Sequence, residues 1–191
     1  SIEKNNLSKV KIMWINYPNM PTGANATVED LEKIAAFGKK HNILICHDNP
    51  YSFILNQKPI SLLEINEYKS HVLELNSLSK SHNMAGWRLG MVAGNEDVIK
   101  SILKVKSNMD SGMFFATQKA AVKALSLESD WYNNLNKTYE SRRKLAWEIC
   151  DELDLGFDKS SSGIFIWGRI RSSNSCDLTF TDKLLHNHGV F

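Results

Sequence analysis

Residues 10–48 run VKIMWINYPNMPTGANATVEDLEKIAAFGKKHNILICHD, and they hold one full unit of the pattern that decides the fold. An apolar run from Val10 to Ile15 ends at Asn16-Tyr17-Pro18 and passes through the turn-forming Pro21-Thr22-Gly23. Helical spacing follows. Thr27, three residues before Asp30, makes a capping box with the shorter acid, and Val28, Leu31, Ile34 and Ala35 fall on one face, which predicts a helix over 27–40. A second apolar run, Ile43 to Cys46, ends at His47-Asp48. Two short apolar runs joined by an amphipathic helix form a parallel strand–helix–strand unit.

Outward from this unit the pattern continues. A third run, Val72 to Leu75, ends at Asn76-Ser77, and a fourth, Leu89 to Ala93, is closed by Gly94-Asn95. Only about a dozen residues part these two, tight for a helical crossover, so the fourth strand is expected to be antiparallel. From Glu96 the chain turns helical. Val98, Ile99, Ile102, Leu103 and Val105 make one stripe, 116–127 a second helix with small Ala120, Ala121 and Ala124, and 131–153 a long third one. Gly163 to Gly168 is predicted as a buried strand, and 180–186 as a short helix. Trp14 and Trp167, both in apolar runs, are assigned to the core. The fold class is therefore α/β: a mostly parallel sheet within residues 1–125, followed by a smaller α+β region in 126–191.

Composition narrows the function classes. With 23 Lys+Arg against 21 Asp+Glu, the charge is nearly balanced, which argues against a polybasic binder of nucleic acid or membrane surfaces. No apolar run approaches the ~18 residues of a membrane span, and the N-terminal SIEKNNLSKVK lacks a signal peptide's apolar core. Cys46, Cys150 and Cys176 are sparse, odd in number and without metal-type spacing, which fits reduced thiols in a cytoplasm.

Ligands of open α/β sheets bind at the carboxyl ends of the strands. Here those ends carry Asn16 to Gly23, then Asp48 to Tyr51, then Ser77 to Lys80 followed by Gly86-Trp87-Arg88-Leu89-Gly90. Parallel strands bring an amide-rich turn, a carboxylate with a phenol, and a lysine with an arginine to one crevice. That set matches the needs of pyridoxal phosphate: a carboxylate for the ring nitrogen, a phenol for the ring oxygen, a lysine for the aldehyde, and cations and hydroxyls for the phosphate. A free lysine amine is protonated at neutral pH and needs neighbouring cations or desolvation to act as a nucleophile. Gly86 is expected to let the backbone approach closely.

The element S-x-S-K-x(7)-R-x-G over Ser77–Gly90, one strand after D-x-x-Y at Asp48–Tyr51, resembles the class I/II aminotransferases, fold-type I enzymes dependent on pyridoxal 5'-phosphate. The resemblance runs along the whole chain. It implies that Lys80 forms the Schiff base and shuttles the proton, that Asp48 holds the ring nitrogen protonated, that Tyr51 bonds the ring oxygen, and that Ser77 and Arg88 grip the phosphate. It also implies amino acid and 2-oxo acid substrates and a homodimer, and around Tyr17-Pro18-Asn19 it leans to the aspartate- and diaminopimelate-type branch. One departure stands at Met20, where the resemblance implies an asparagine that donates to the ring oxygen; Asn19 or Asn16 is the candidate substitute. The resemblance further implies a fragment that starts near the middle of such an enzyme, stops before its substrate-carboxylate arginine, and is inactive alone.

Each residue also has a plainer reading. Asp48, Tyr51 and Lys80 taken singly are a loop carboxylate, a half-buried phenol and a solvated charge, and Pro21-Thr22-Gly23 is turn chemistry. His47 beside Asp48 points to the opposite strand face, against a metal pair. His186 and His188 suit a helix C-terminus. His82 sits near the site or on the surface, and Lys137, Arg142, Arg143 and Lys144 form a solvated helix face. Ser77-x-x-Lys80 also matches an acyl-transfer motif, without its companion elements. Two other functions share the residues: a pyridoxal-phosphate-dependent carbon–sulfur lyase, and a non-catalytic regulatory domain of the same fold.

Overall fold

The computed structural model describes residues 2–171 and 176–190. Its main sheet runs β1 (Ile12–Asn16), β2 (Leu44–Asp48), β3 (Val72–Ser77) and β4 (Gly90–Gly94) in that spatial order. The first three strands are parallel and β4 pairs antiparallel with β3, as the short connection requires. Helix α1 (Val28–His41) crosses from β1 to β2 and is opened by the expected capping box between Thr27 and Asp30. The return from β2 to β3 differs from the expected helical crossover. It is made of 3₁₀ turns at Leu62–Glu64 and Asn66–His71.

Leu31 and Ala35 of α1 pack with Ile15, Ile43, Ile45, Leu62 and Val72 into the principal core. Val28 lies outside that stripe and is exposed. A smaller cluster joins Leu78, Met84, Leu89 and Ala124, the last from α4 (Phe115–Leu125). Helix α3 (Glu96–Met109) keeps its predicted apolar stripe on the surface, with Ile102, Leu103 and Val105 exposed. The 125/126 division expected from sequence falls in the turn between α4 and α5 (Ser129–Glu152). Then come a two-stranded ladder, β5 (Leu155–Gly156) with β6 (Arg169–Ile170), and α6 (Asp177–His188), whose last turn carries His186 and His188. Among the described residues, no helix is long and apolar enough to cross a membrane.

Three expectations are overturned. Trp14 is 63% exposed: strand alternation puts it with Ile12 on the sheet face away from α1, and no described element covers that side of β1. Residues 163–168 form no strand, and Trp167 is 60% exposed. The segment docks instead on the loop after β2, where Gly163 N–H donates to the Ile54 carbonyl at 2.9 Å. Arg143 does not join a solvated face, because its guanidinium lies over Trp147 and donates to the Ser161 carbonyl at 3.1 Å.

The turn at Gly23 is more than punctuation. Gly23 has φ of +71°, and a Cβ there would lie 2.6 Å from Ser161 Cβ and 2.7 Å from the Ser162 carbonyl oxygen. Its own carbonyl accepts the Ser162 N–H at 2.8 Å. Gly23→Ala is therefore expected to lower stability by roughly 2–4 kcal/mol in urea unfolding, from left-handed strain plus a backbone clash. A loss below about 1 kcal/mol would mean that 161–162 moves aside freely.

Candidate active site

The carboxyl ends of β1, β2 and β3 lie side by side, with Asn16 opposite Asp48 and Asp48 opposite Leu75. Asn16 Nδ2 donates to the Asp48 carbonyl at 2.8 Å, and Asn16 Oδ1 accepts the Met20 N–H at 2.7 Å. Asn19 holds the same turn, its Oδ1 accepting the Thr22 hydroxyl at 2.7 Å and its Nδ2 reaching the Asn16 carbonyl at 3.4 Å. Both asparagines thus have a turn-holding role, and Met20 faces the site. The Tyr51 hydroxyl donates to Met20 Sδ at 3.4 Å.

Asp48 ends β2 with its side chain at the open mouth of the crevice. Surrounding protein withdraws enough water to raise its carboxyl above the ordinary range, and the His47 charge opposes this. Burial also raises the Tyr51 phenol, with the Asp48 charge adding to it. Tyr51 meets Phe165 edge-on at 5.9 Å, a contact that closes the loop after β2 against the C-terminal segment.

Lys80 does not sit on a strand-end loop, as its position after β3 suggested, but within a one-turn helix, α2 (Leu78–Ser81). The Ser77 hydroxyl caps that helix by accepting Ser79 N–H at 3.1 Å, which competes with extension of β3 and turns the chain. Ser77 Oγ also lies 3.2 Å from the Leu89 carbonyl. Half-buried Lys80 has Nζ 5.9 Å from the centre of the Tyr51 ring, and no acidic partner among the described residues. Arg88 is exposed, adopts the left-handed region at φ 52°, and donates to the Ala85 carbonyl at 2.9 Å. A non-glycine residue there costs roughly 1–2 kcal/mol. Gly86 corrects an expectation. A Cβ at Gly86 would meet nothing within 4 Å, so no close approach explains it.

Three further residues contribute: His82, which the sequence marked without deciding between site and surface, and Trp131 and Asn136, which had no local signal. His82 is buried between Ser81 Oγ at 2.8 Å and the Tyr132 hydroxyl at 3.3 Å, and burial lowers its imidazole, with a hydrogen bond to the Ala124 backbone in opposition. Trp131 Nε1 donates to the Ser81 carbonyl at 2.9 Å. Asn136 bonds Phe53 and Leu55 across more than 80 residues. Helix α5 thus clamps both the lysine turn and the Tyr51 loop.

The family model for aminotransferase class I and II matches residues 1–191. The chain belongs to the class I and II aminotransferases. It is 39% identical over 184 residues to LL-diaminopimelate aminotransferase of Gloeobacter violaceus, covering 95% of this chain and 47% of that protein. An LL-diaminopimelate aminotransferase of Dehalococcoides mccartyi is also 39% identical, over 100% of this chain and 49% of its own length. Among solved structures, apo BacF from Bacillus subtilis superposes with a TM-score of 0.88 at 37% identity, covering 97% of this chain and 48% of its own. A probable N-succinyldiaminopimelate aminotransferase from Thermus thermophilus gives 0.86 at 30% identity, over 93% and 48%. The aminotransferase chain thus spans about half the length of the relatives it matches.

Proposed function

We propose that this aminotransferase chain carries the pyridoxal phosphate half-site of an enzyme that transfers an amino group between an amino acid and a 2-oxo acid, in the diaminopimelate/aspartate branch. One observation carries the reading. Asp48, Tyr51 and Lys80 converge at the ends of adjacent parallel strands, and the lysine there is half-buried without an acidic partner. The similarity to LL-diaminopimelate aminotransferases supports the branch. The same reading makes the assembled protein a homodimer.

The donor set fits the cofactor. Pyridoxal phosphate, when bound, supplies an electron sink for the α-carbon of an amino acid. Lys80 Nζ is the nucleophile for its aldehyde and the group that moves the α-carbon proton. Asp48 holds a proton at the ring nitrogen. The Tyr51 hydroxyl, which rests on Met20 Sδ, serves the ring oxygen. Arg88 with Ser77 holds the phosphate, a planar fork suiting its oxygens.

Two substitutions probe these roles. Arg88→Gly removes left-handed strain and is expected to leave stability unchanged or raise it by up to about 1 kcal/mol. Pyridoxal phosphate affinity is expected to fall about tenfold or more, because charge-assisted hydrogen bonds are lost. Lost stability with unchanged affinity in an absorbance titration would remove Arg88 from the phosphate. Met20→Asn restores an N–H donor beside Tyr51 and is expected to lower the pH midpoint of the bound cofactor's visible absorbance. An unmoved midpoint shows that Tyr51 alone sets it.

The reaction itself is tested by mixing the loaded whole protein with an amino acid and no acceptor. Transfer yields the matching 2-oxo acid and leaves the amino group on the cofactor, one per site. Free ammonia with pyruvate from a sulfur amino acid would instead mark the lyase.

A further inference from the structure

The functional reading uses the sheet face that carries Asp48. On the opposite face, beneath α1, lies a buried polar cluster with no assigned role. His47 and Glu74 are register partners on β2 and β3, 0% and 8% exposed. His47 Nε2 lies 2.9 Å from the Tyr17 carbonyl oxygen, and Nδ1 3.3 Å from Glu74 Oε2. The same Oε2 accepts the Ser61 hydroxyl at 2.7 Å and Leu62 N–H at 2.9 Å, while Oε1 accepts Asn49 Nδ2 at 3.0 Å. Ser61 Oγ accepts the Leu63 N–H, so its own proton is available to the carboxylate. Asn49 Oδ1 accepts the Ser52 hydroxyl at 2.6 Å, which turns the amide nitrogen toward Glu74.

These partners determine where the protons are. A carbonyl only accepts, so Nε2 carries a hydrogen. Donors on both Glu74 oxygens match the ionised carboxylate. A bare Nδ1 lone pair facing that carboxylate would be repelled and left without a donor, so Nδ1 carries a hydrogen too. We infer that Glu74 holds His47 as a buried, doubly protonated imidazolium, and that this pair positions the cofactor-binding groups while the ring's positive charge favours the ionised form of Asp48. The ring pins the Tyr17 carbonyl at the start of the turn that carries Met20, and Glu74 pins Asn49 at the root of the Tyr51 loop. Asp48 is the next residue, and the His47 charge is what opposes the desolvation of its carboxyl. Cys46, the other neighbour, is a thiol pushed up by burial and therefore uncharged. His47 and Glu74 are positioning residues, and only the consequence at Asp48 for the cofactor rests on the functional reading above.

The test is nitrogen-15 NMR of histidine-labelled full chain at neutral pH, with the His47 ring assigned through its backbone. Two protonated ring nitrogens at His47 are expected; one protonated and one bare nitrogen overturns the inference. Carboxyl carbon-13 titration of Asp48 supplies the second arm. Its midpoint should rise in His47→Gln, which removes the positive charge and leaves a neutral side chain able to hydrogen-bond. An unmoved midpoint in a folded variant overturns the electrostatic role. Should that variant fail to fold, the wild-type ring spectrum still decides proton placement. A whole protein that shows the imidazolium but binds no pyridoxal phosphate would sink the functional reading and leave the proton placement standing.

Discussion

Lys80→Ala is expected to abolish borohydride-fixable attachment of pyridoxal phosphate and to slow amino transfer by the whole protein about 10⁴-fold or more, since nucleophile and proton carrier are lost together. The expectation rests on placement. Lys33, Lys40, Lys100 and Lys106 sit within 3 Å of a carboxylate on the exposed surface. Lys80 instead lies half-buried beside the Tyr51 ring with no such partner among the described residues. Incubation with pyridoxal phosphate, reduction and peptide mapping read the result directly. A single adduct on the peptide containing Lys80, absent from Lys80→Ala, is the expected map. Lys80→Arg keeps a positive charge beside Tyr51 but supplies neither nucleophile nor proton carrier; it should also give no adduct, which separates charge from chemistry. Scattered labelling of surface lysines, unchanged by either substitution, would detach the cofactor chemistry from this site.

Glu74→Ala should cost about 3–5 kcal/mol, because removing one member of a buried charged pair strands the other. Four donors lose their acceptor at once: the His47 ring, the Ser61 hydroxyl, the Leu62 N–H and the Asn49 amide. Acid should act on the same group. Burial works to raise the Glu74 carboxyl, but hydrogen bonds from His47, Ser61 and Asn49 and the His47 charge outweigh it and hold it below 4.5. A carboxyl lowered in the folded state contributes stability that is fully present above its unfolded pKa and drains as pH falls through the folded value. Wild-type stability should therefore fall below about pH 4.5, with a shallower fall in Glu74→Gln. Urea unfolding at a series of pH values checks both statements. Equal acid limbs in the two proteins would show that Glu74 is not the group that titrates.

Much of this architecture was legible from residues close together in the chain. The Thr27–Asp30 box, the period of α1, and the short link that forces β4 antiparallel are local facts, set by hydrogen bonds and connections within a few residues. The S-x-S-K and D-x-x-Y spacings were equally readable, because strand ends in a parallel sheet converge whatever surrounds them. Some local readings misled. A run such as Gly163 to Gly168 is apolar enough for a buried strand, yet its partners are the loop atoms of Tyr51 and Ile54. Trp14 alternates to a side of β1 that nothing described covers.

The sequence by itself determined the order of the four-stranded sheet with its crossover helix α1, the direction of those four strands and the set of groups at their ends. Tertiary structure alone decided that the Tyr51 hydroxyl rests on Met20 sulfur, that Gly23 must lack a side chain to admit Ser161 and Ser162, and that His47 meets Glu74 behind Asp48. Periodicity and capping are written within a turn or two of chain. Contacts between residues 27 to 139 positions apart exist only once the sheet has closed and brought them together.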